Sequence, residues 1–256
     1  LKAHGFKEMH SLKKVKTGDK LYQPRLAETF RVLQREGKDA FYKGKIAEDI
    51  IARTSLTADD LANYEVYEYD ALETDYRGYK LYSANAPLSG ITLLQMLEME
   101  EAIDIPDPVS DPAGYAEGLR TVTKTAYAGR YSILGDPQYE EVDLQSKLSE
   151  SYIKEMLGME VGEYVDDKES IETTSFSVVD ANGLVVSATN TLSHFWGSGI
   201  NVDGFFLNNT NVNFSSCEIN ARESGKRSRT FTAPTIVTGD DNYVLAIGTP
   251  GGNNIP

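Results

Sequence analysis

The 256-residue chain reads as an α+β protein. Apolar residues recur at helical spacing through the first half, and short β-type runs fill the part after Val161. The two textures follow one another. Strictly alternating strands and helices would indicate a parallel, doubly wound sheet, whereas helices first and strands second indicate α+β organisation. With 40% apolar residues, the chain can bury a substantial core in one large domain or two small ones.

The elements follow in order. LKAHGFKEMHSLKKVKTGDK, residues 1–20, is polar and basic and lacks the apolar middle of a signal peptide. LAETFRVLQREG places Leu26, Phe30 and Leu33 on one helix face and stops at Gly37. IAEDIIART continues as helix, and Thr57 with Asp60 forms a capping box that opens LTADDLANY. EYDALETDYRGYKLYS is strand-like; a turn over Asn85–Gly90 follows, then the helix ITLLQMLEMEEAI. IPDPVSDPAG is a Pro-rich loop leading into a long helix through YAEGLRTVTKTAYAGRYS. SFSVVD, LVVSAT, GFFLNN, PTIVTG and NYVLAIG are short strands separated by Gly, Asn and Asp.

Charge and composition exclude several functions. A net charge of −14 and a pI near 4.7 leave nothing to offset phosphate repulsion, so nucleic acid is not a partner. No apolar run is long enough for a transmembrane helix. Cys217 is the only cysteine, so no intrachain disulfide forms. His4, His10 and His194 lie far apart without metal-ligand spacing, and neither a metal nor a cofactor is expected.

IETTSFSVVDANGLVVSATNTL, residues 171–192, raises the chemical question, because hydroxyls crowd a single hairpin. Asp180-Ala181-Asn182-Gly183 is a type I turn with Gly in the left-handed position. That turn pairs Val179 with Val185, Ser177 with Ser187, Ser175 with Thr189 and Thr173 with Thr191, all on one face. Phe176, Val178, Leu184, Val186 and Ala188 fall on the other face, the expected core side. The polar face ends in two threonines able to touch across the pair. A threonine hydroxyl is a poor nucleophile until a base takes its proton, and one solution frees the α-amine of that same threonine. Its β-branched side chain is stiff and holds the hydroxyl ready.

ETTSFSVVDANGLVVSATNTL resembles the start of the small subunit in the gamma-glutamyltransferase family of N-terminal-nucleophile hydrolases, whose pattern is roughly TTHFSVVD-x-x-GNAVSxTxTLN. QPRLAETFRVLQREGKDAFYKGKIAEDI, LTADDLANYEV, YRGYKLYSANAPLSGITLLQML, AGRYSILGDPQYEEV, GSGI, FFLNN, KR, APTIV and GTPGG have counterparts in the same order. The resemblance implies a four-layer αββα sandwich with a helical part. It also implies self-cleavage after Glu172, with residues 1–172 and 173–256 as parts of a paired large and small subunit that form one structural unit. Thr173 would be the nucleophile, Thr191 its hydrogen-bond partner, and Gly251 and Gly252 the oxyanion site. Family precursors extend past both ends, so the chain is expected to be a fragment of a zymogen. The family is found secreted, periplasmic or at the cell surface.

Departures from the pattern cluster. Ser175 replaces a His. Ser193 replaces an Asn that helps bind the glutamyl group. Thr210 and Asn213 stand where members hold the substrate's α-amino group, and Thr230 and Phe231 stand for two serines on its α-carboxylate. Losing acidic or amide partners removes the charge complement to an ammonium, and Phe231 is expected to add apolar lining. The resemblance therefore implies transfer or hydrolysis of a γ-glutamyl group, from glutathione or another amide. An acylase with altered acyl specificity and a non-catalytic family member remain open.

Overall fold

A computed structural model of the chain describes residues 16–161, 173–240 and 242–256. Along it run helices α1 (Pro24–Glu36), α2 (Lys38–Tyr42), α3 (Lys45–Ile51) and α4 (Ala58–Ala62). Strands β1 (Leu72–Tyr76) and β2 (Tyr79–Ser83) precede α5 (Gly90–Ile103), α6 (Pro112–Ile133) and α7 (Glu150–Leu157). Then come β3 (Thr173–Val179), β4 (Val185–Thr191), the short β5 (Asn201–Val202) and β6 (Phe205–Phe206), β7 (Thr235–Gly239) and β8 (Asn242–Ile247). Helices dominate the first half and antiparallel strands the second, as the two textures predict.

The local signals carry through. Gly37 ends α1 with a positive φ of 69°, its N–H bonded to the Leu33 carbonyl. Thr57 and Asp60 form both halves of the capping box at α4. The Pro-rich loop yields earlier than its composition predicts: Pro112 already starts α6, and the Asp111 side chain accepts from the Gly114 N–H. EYDALETDYRGYKLYS is two strands. Arg77 and Gly78 both take positive φ, 49° and 85°, which makes a tight hairpin turn that the Arg-Gly pair does not advertise.

The chain divides into two compact units. One holds the described residues as far as Glu68 together with His194–Asn209. Its core gathers Ala40, Ile46, Ala47, Ile50 and Leu61 of the helices around Val202 of β5. The Thr29 hydroxyl is satisfied by the Asp203 carbonyl at 2.7 Å.

The other unit comprises Tyr69–Ser193 and Thr210–Pro256. Its four-stranded sheet runs β1-β2-β7-β8, all antiparallel. Leu72 and Leu81 of the first two strands pack with Ile91 and Leu94 of α5 and with Ile133 and Leu134 at the end of α6. The helix α5 is buried along most of its length, as its nearly all-round apolar sequence requires. A second core joins Met99, Val122, Ala126, Tyr127, Ile153 and Met156 with Phe231, Ala233 and Ile255.

The β3-β4 hairpin has the expected register, but among the described residues its apolar face is not covered. Phe176, Val178, Leu184 and Val186 are 51%, 52%, 65% and 42% exposed among the described residues. The hydroxyl face is the one turned to the protein. Ser177 donates to the Ala246 carbonyl at 3.0 Å and Ser187 to that of Ile247 at 2.7 Å. Period-two alternation names the two faces but leaves open which one meets a neighbour.

Gly204 supplies a test of the first unit. Its φ is +92°, and a Cβ there would sit 2.4 Å from the Leu26 backbone nitrogen. Gly204→Ala is expected to lower stability by about 1–3 kcal/mol from the backbone conformation alone, read as an earlier urea midpoint. An unchanged midpoint would mean that this close approach does not exist in solution.

Candidate active site

The hairpin is set by its turn. The Asp180 carboxylate accepts from the Asn182 and Leu184 N–H groups, both at 2.8 Å. These backbone bonds hold its carboxyl below the ordinary Asp value. A lowered folded-state value means that this contribution is present at neutral pH and is lost as pH falls through it. With the turn fixed, the register aligns Val179 with Val185, Ser177 with Ser187, Ser175 with Thr189 and Thr173 with Thr191.

Thr173 and Thr191 therefore meet. The Thr173 hydroxyl donates to Thr191 Oγ1 at 3.3 Å, and the Ser193 N–H donates to the same oxygen at 3.0 Å. Both donors converge on the Thr191 hydroxyl oxygen. Ser193 is fully buried with φ +69°, and its own hydroxyl has no hydrogen-bond partner among the described residues. One turn of strand away, Ser175 donates to the Ala188 carbonyl at 3.1 Å and pairs with Thr189 at 3.2 Å. Gly248 lies against this pair, where a Cβ would come within 2.2 Å of Ser175 Oγ and 2.9 Å of Thr189 Oγ1. The backbone leaving β8 thus reaches the hydroxyl face, and a Cβ at Gly248 would have to displace these hydroxyls.

That backbone continues into the glycine turn. Gly251 has φ +156° and Gly252 φ +59°; a single 3-10 turn, Gly252–Asn254, follows. The Asn254 and Ile255 N–H groups close back on the Gly251 and Gly252 carbonyls, each at 3.1 Å. The Tyr127 hydroxyl of α6 bonds the Asn253 carbonyl, and Ile255 is buried in the core beside that ring.

Thr210, Asn213, Thr230 and Phe231 come together through residues that the sequence pattern does not single out. The Ser228 hydroxyl donates to the Thr210 carbonyl at 3.0 Å. Asn220, fully buried, gives its amide to the Asn213 carbonyl at 2.8 Å, and its oxygen accepts from the Arg229 N–H at 3.0 Å. One side chain therefore ties the 210–213 turn to the 228–231 segment. The Thr230 hydroxyl is engaged with Thr232 Oγ1 at 2.6 Å and accepts from the Thr232 N–H.

Phe231 does not add apolar lining. Its ring is 3% exposed, stacked on Tyr127 at 5.9 Å and lying under the Arg130 guanidinium at 3.8 Å. A ring is too large to stand where a serine would present its hydroxyl, and it is taken into the core instead.

Three ionic residues of AGRYSILGDPQYEEV hold the same segment. Asp136, fully buried, accepts from the Arg227 N–H at 2.6 Å. Glu140 pairs with the buried Lys226 at 2.6 Å. Arg130 donates to the Thr230 carbonyl at 3.0 Å. The only advance sign is the basic KRSR run in an acidic chain, whose partners lie some ninety residues earlier.

Among the described residues, no group of three His, Cys, Asp or Glu side chains could hold a metal. His194 Nδ1 pairs with Asn209 at 2.9 Å, whereas His4, His10 and Glu172 lie outside the described residues.

Residues 5–256 match the family described as Gamma-glutamyltranspeptidase. The "Capsule biosynthesis protein CapD proenzyme" of Bacillus anthracis is 40% identical over 242 residues, 94% of this chain and 46% of that protein. The "Glutathione hydrolase proenzyme" of Pseudomonas aeruginosa is 34% identical over 270 residues, 94% of this chain and 48% of that protein. Among solved structures, the cephalosporin acylase from Bacillus halodurans superposes with a TM-score of 0.83. It covers 98% of this chain and 48% of that one at 22% identity, a likeness of fold. The chain spans about half the length of the curated relatives it matches. Matched along nearly all its residues and carrying the helices and antiparallel sheets described above, the chain belongs to the gamma-glutamyltranspeptidase family.

Proposed function

We propose that the protein is an acyl-transferring or acyl-hydrolysing enzyme of the gamma-glutamyl type, with Thr173 as its nucleophile. The observation that carries this reading is the pairing of Thr173 and Thr191 hydroxyls at 3.3 Å, with the Ser193 N–H on the second oxygen. The nucleophile and its partner sit at the end of a register-locked hairpin. That is a rigid support for a geometry that must hold to fractions of an ångström. The relatives' names as proenzymes support processing before activity.

In this reading the Thr173 hydroxyl first attacks the carbonyl carbon of Glu172. The peptide C–N bond breaks, which frees the α-amine of Thr173 and leaves the Glu172 acyl group as an ester on its oxygen; water then hydrolyses that ester, returning the hydroxyl and leaving Glu172 with a free carboxylate. Residues before and after the cut remain paired as two subunits. The freed amine then accepts the hydroxyl proton, the oxygen attacks the substrate's amide carbonyl, and the leaving amine departs with a proton. Gly251 and Gly252 stabilise the oxyanion. Water or an amino acid takes the acyl group from the resulting ester. The substrate is a small amide, glutathione or another γ-glutamyl compound.

A second reading, an acylase with altered specificity, is favoured by the side chains assigned to the acyl group. Ser193, Thr210, Asn213 and Thr230 include no carboxylate to meet an α-ammonium, and the Thr230 hydroxyl is already engaged with Thr232. Each charge-assisted hydrogen bond lost is worth about 1.5–3 kcal/mol, so two would lower γ-glutamyl preference by roughly a hundredfold or more.

Three measurements bear on this. Thr173→Ala in the full-length protein is expected to leave one unsplit chain by intact mass and no turnover, because the acyl shift requires that oxygen; splitting in the variant would remove Thr173 from the role. Thr191→Ala is expected to slow maturation and lower turnover by about tenfold, the worth of roughly one hydrogen bond. Wild-type rates would show that the pair is only structural. Finally, with γ-glutamyl and glutaryl anilides compared side by side, the second reading gives the larger kcat/KM for the glutaryl compound. The reverse order would return the protein to plain γ-glutamyl specificity.

A further inference from the structure

We infer that Arg130 is a positioning residue for substrate recognition: it holds the acyl-binding segment Thr230–Thr232 and, with Tyr127, ties it to the glycine turn. The inference rests on the assignment of Thr230 to the acyl site proposed above. It concerns a residue to which the resemblance assigns no role in the reaction.

A guanidinium that is 1% exposed is costly to bury unless its donors are used. Arg130 meets the segment at two points and Ser89 at a third. One terminal nitrogen of Arg130 donates to the Thr230 carbonyl at 3.0 Å, its Nε donates to Ser89 Oγ at 3.2 Å, and its central carbon Cζ lies over the Phe231 ring, 3.8 Å from the centroid. Ser89 completes the arrangement by donating its own hydroxyl to the same Thr230 carbonyl. Two backbone bonds run beside it, Thr230 N–H to the Pro87 carbonyl and Ser89 N–H to that of Thr232, both at 2.9 Å.

Tyr127 stands three residues earlier in α6 and so on the same helix face. Its ring stacks on Phe231, while its hydroxyl bonds the Asn253 carbonyl next to Gly252. One face of one helix therefore engages Phe231 with both a cation and an aromatic ring. The same face fixes the turn that carries the proposed oxyanion site. Phe231, which departs from the family's serine, is the handle for this grip. The fork and plane of arginine are both used, and lysine offers neither.

The test uses the full-length protein with Arg130→Lys and, as a volume-conserving partner, Phe231→Leu. Hydrogen exchange should rise at the amides of Ser89, Thr230 and Thr232 in both variants, with the β1-β2 hairpin unchanged. For the acyl donor, KM should rise about tenfold while kcat stays within a few-fold, the signature of lost ground-state and transition-state binding alike. Unchanged exchange at residues 230–232, an equal rise throughout the molecule, or local loosening with an unaltered KM would each overturn the assignment. If Arg130→Lys fails to fold, Phe231→Leu decides by the same criteria. A wild-type protein that neither splits nor turns over refutes the proposed function, and the exchange arm then decides alone whether Arg130 holds the segment.

Discussion

The hydroxyls of Ser177 and Ser187 donate to the carbonyls of Ala246 and Ile247, and most of the site's arrangement follows from these two bonds. They fasten the β3-β4 hairpin to β8 through its polar face. The strand β8 leads directly to Gly248, which lies against Ser175 and Thr189, and then to Gly251 and Gly252. The proposed nucleophile and the proposed oxyanion turn are thus held by one short piece of backbone. Serines suit this task because a hydroxyl is short and can rotate to find its acceptor. Larger side chains would push the strands apart.

A second constraint comes from buried charge. Asp136, Glu140 and Arg130 each engage residues 226–231 from the α6 helix or the loop that follows it. Buried ionic groups add little net stability over well-packed apolar ones, but they penalise every arrangement in which their partners are missing. The segment is therefore held by several requirements satisfied together. A loop that must present side chains to a ligand benefits from such over-determination, since its own sequence has no regular secondary structure to hold it.

The departures from the family pattern take on different meanings in this frame. Ser193 has become a small buried hydroxyl beside the threonine pair. Thr230 has turned its hydroxyl to Thr232, and Phe231 is packed in the core. Thr210 and Asn213 are drawn to that segment through Ser228 and Asn220. Under the proposed assignment of these residues to the acyl site, they offer fewer groups to a charged head.

What the sequence alone determined is local. Asp180-Ala181-Asn182-Gly183 with period-two alternation dictates the register that brings Thr173 opposite Thr191, because a tight turn leaves one pairing and the pleat does the rest. The end of α1 at Gly37 and the capping box at Thr57 are equally legible, each depending on contacts within four residues. Collinear motifs carried the family. Tertiary structure decided which face of the hairpin is covered, where the Phe231 ring goes, and why Arg130, Asp136 and Asn220 matter. The Arg130–Thr230 bond spans 100 positions. A buried polar group needs a partner, but its own sequence neighbourhood does not say which of the distant residues that partner will be.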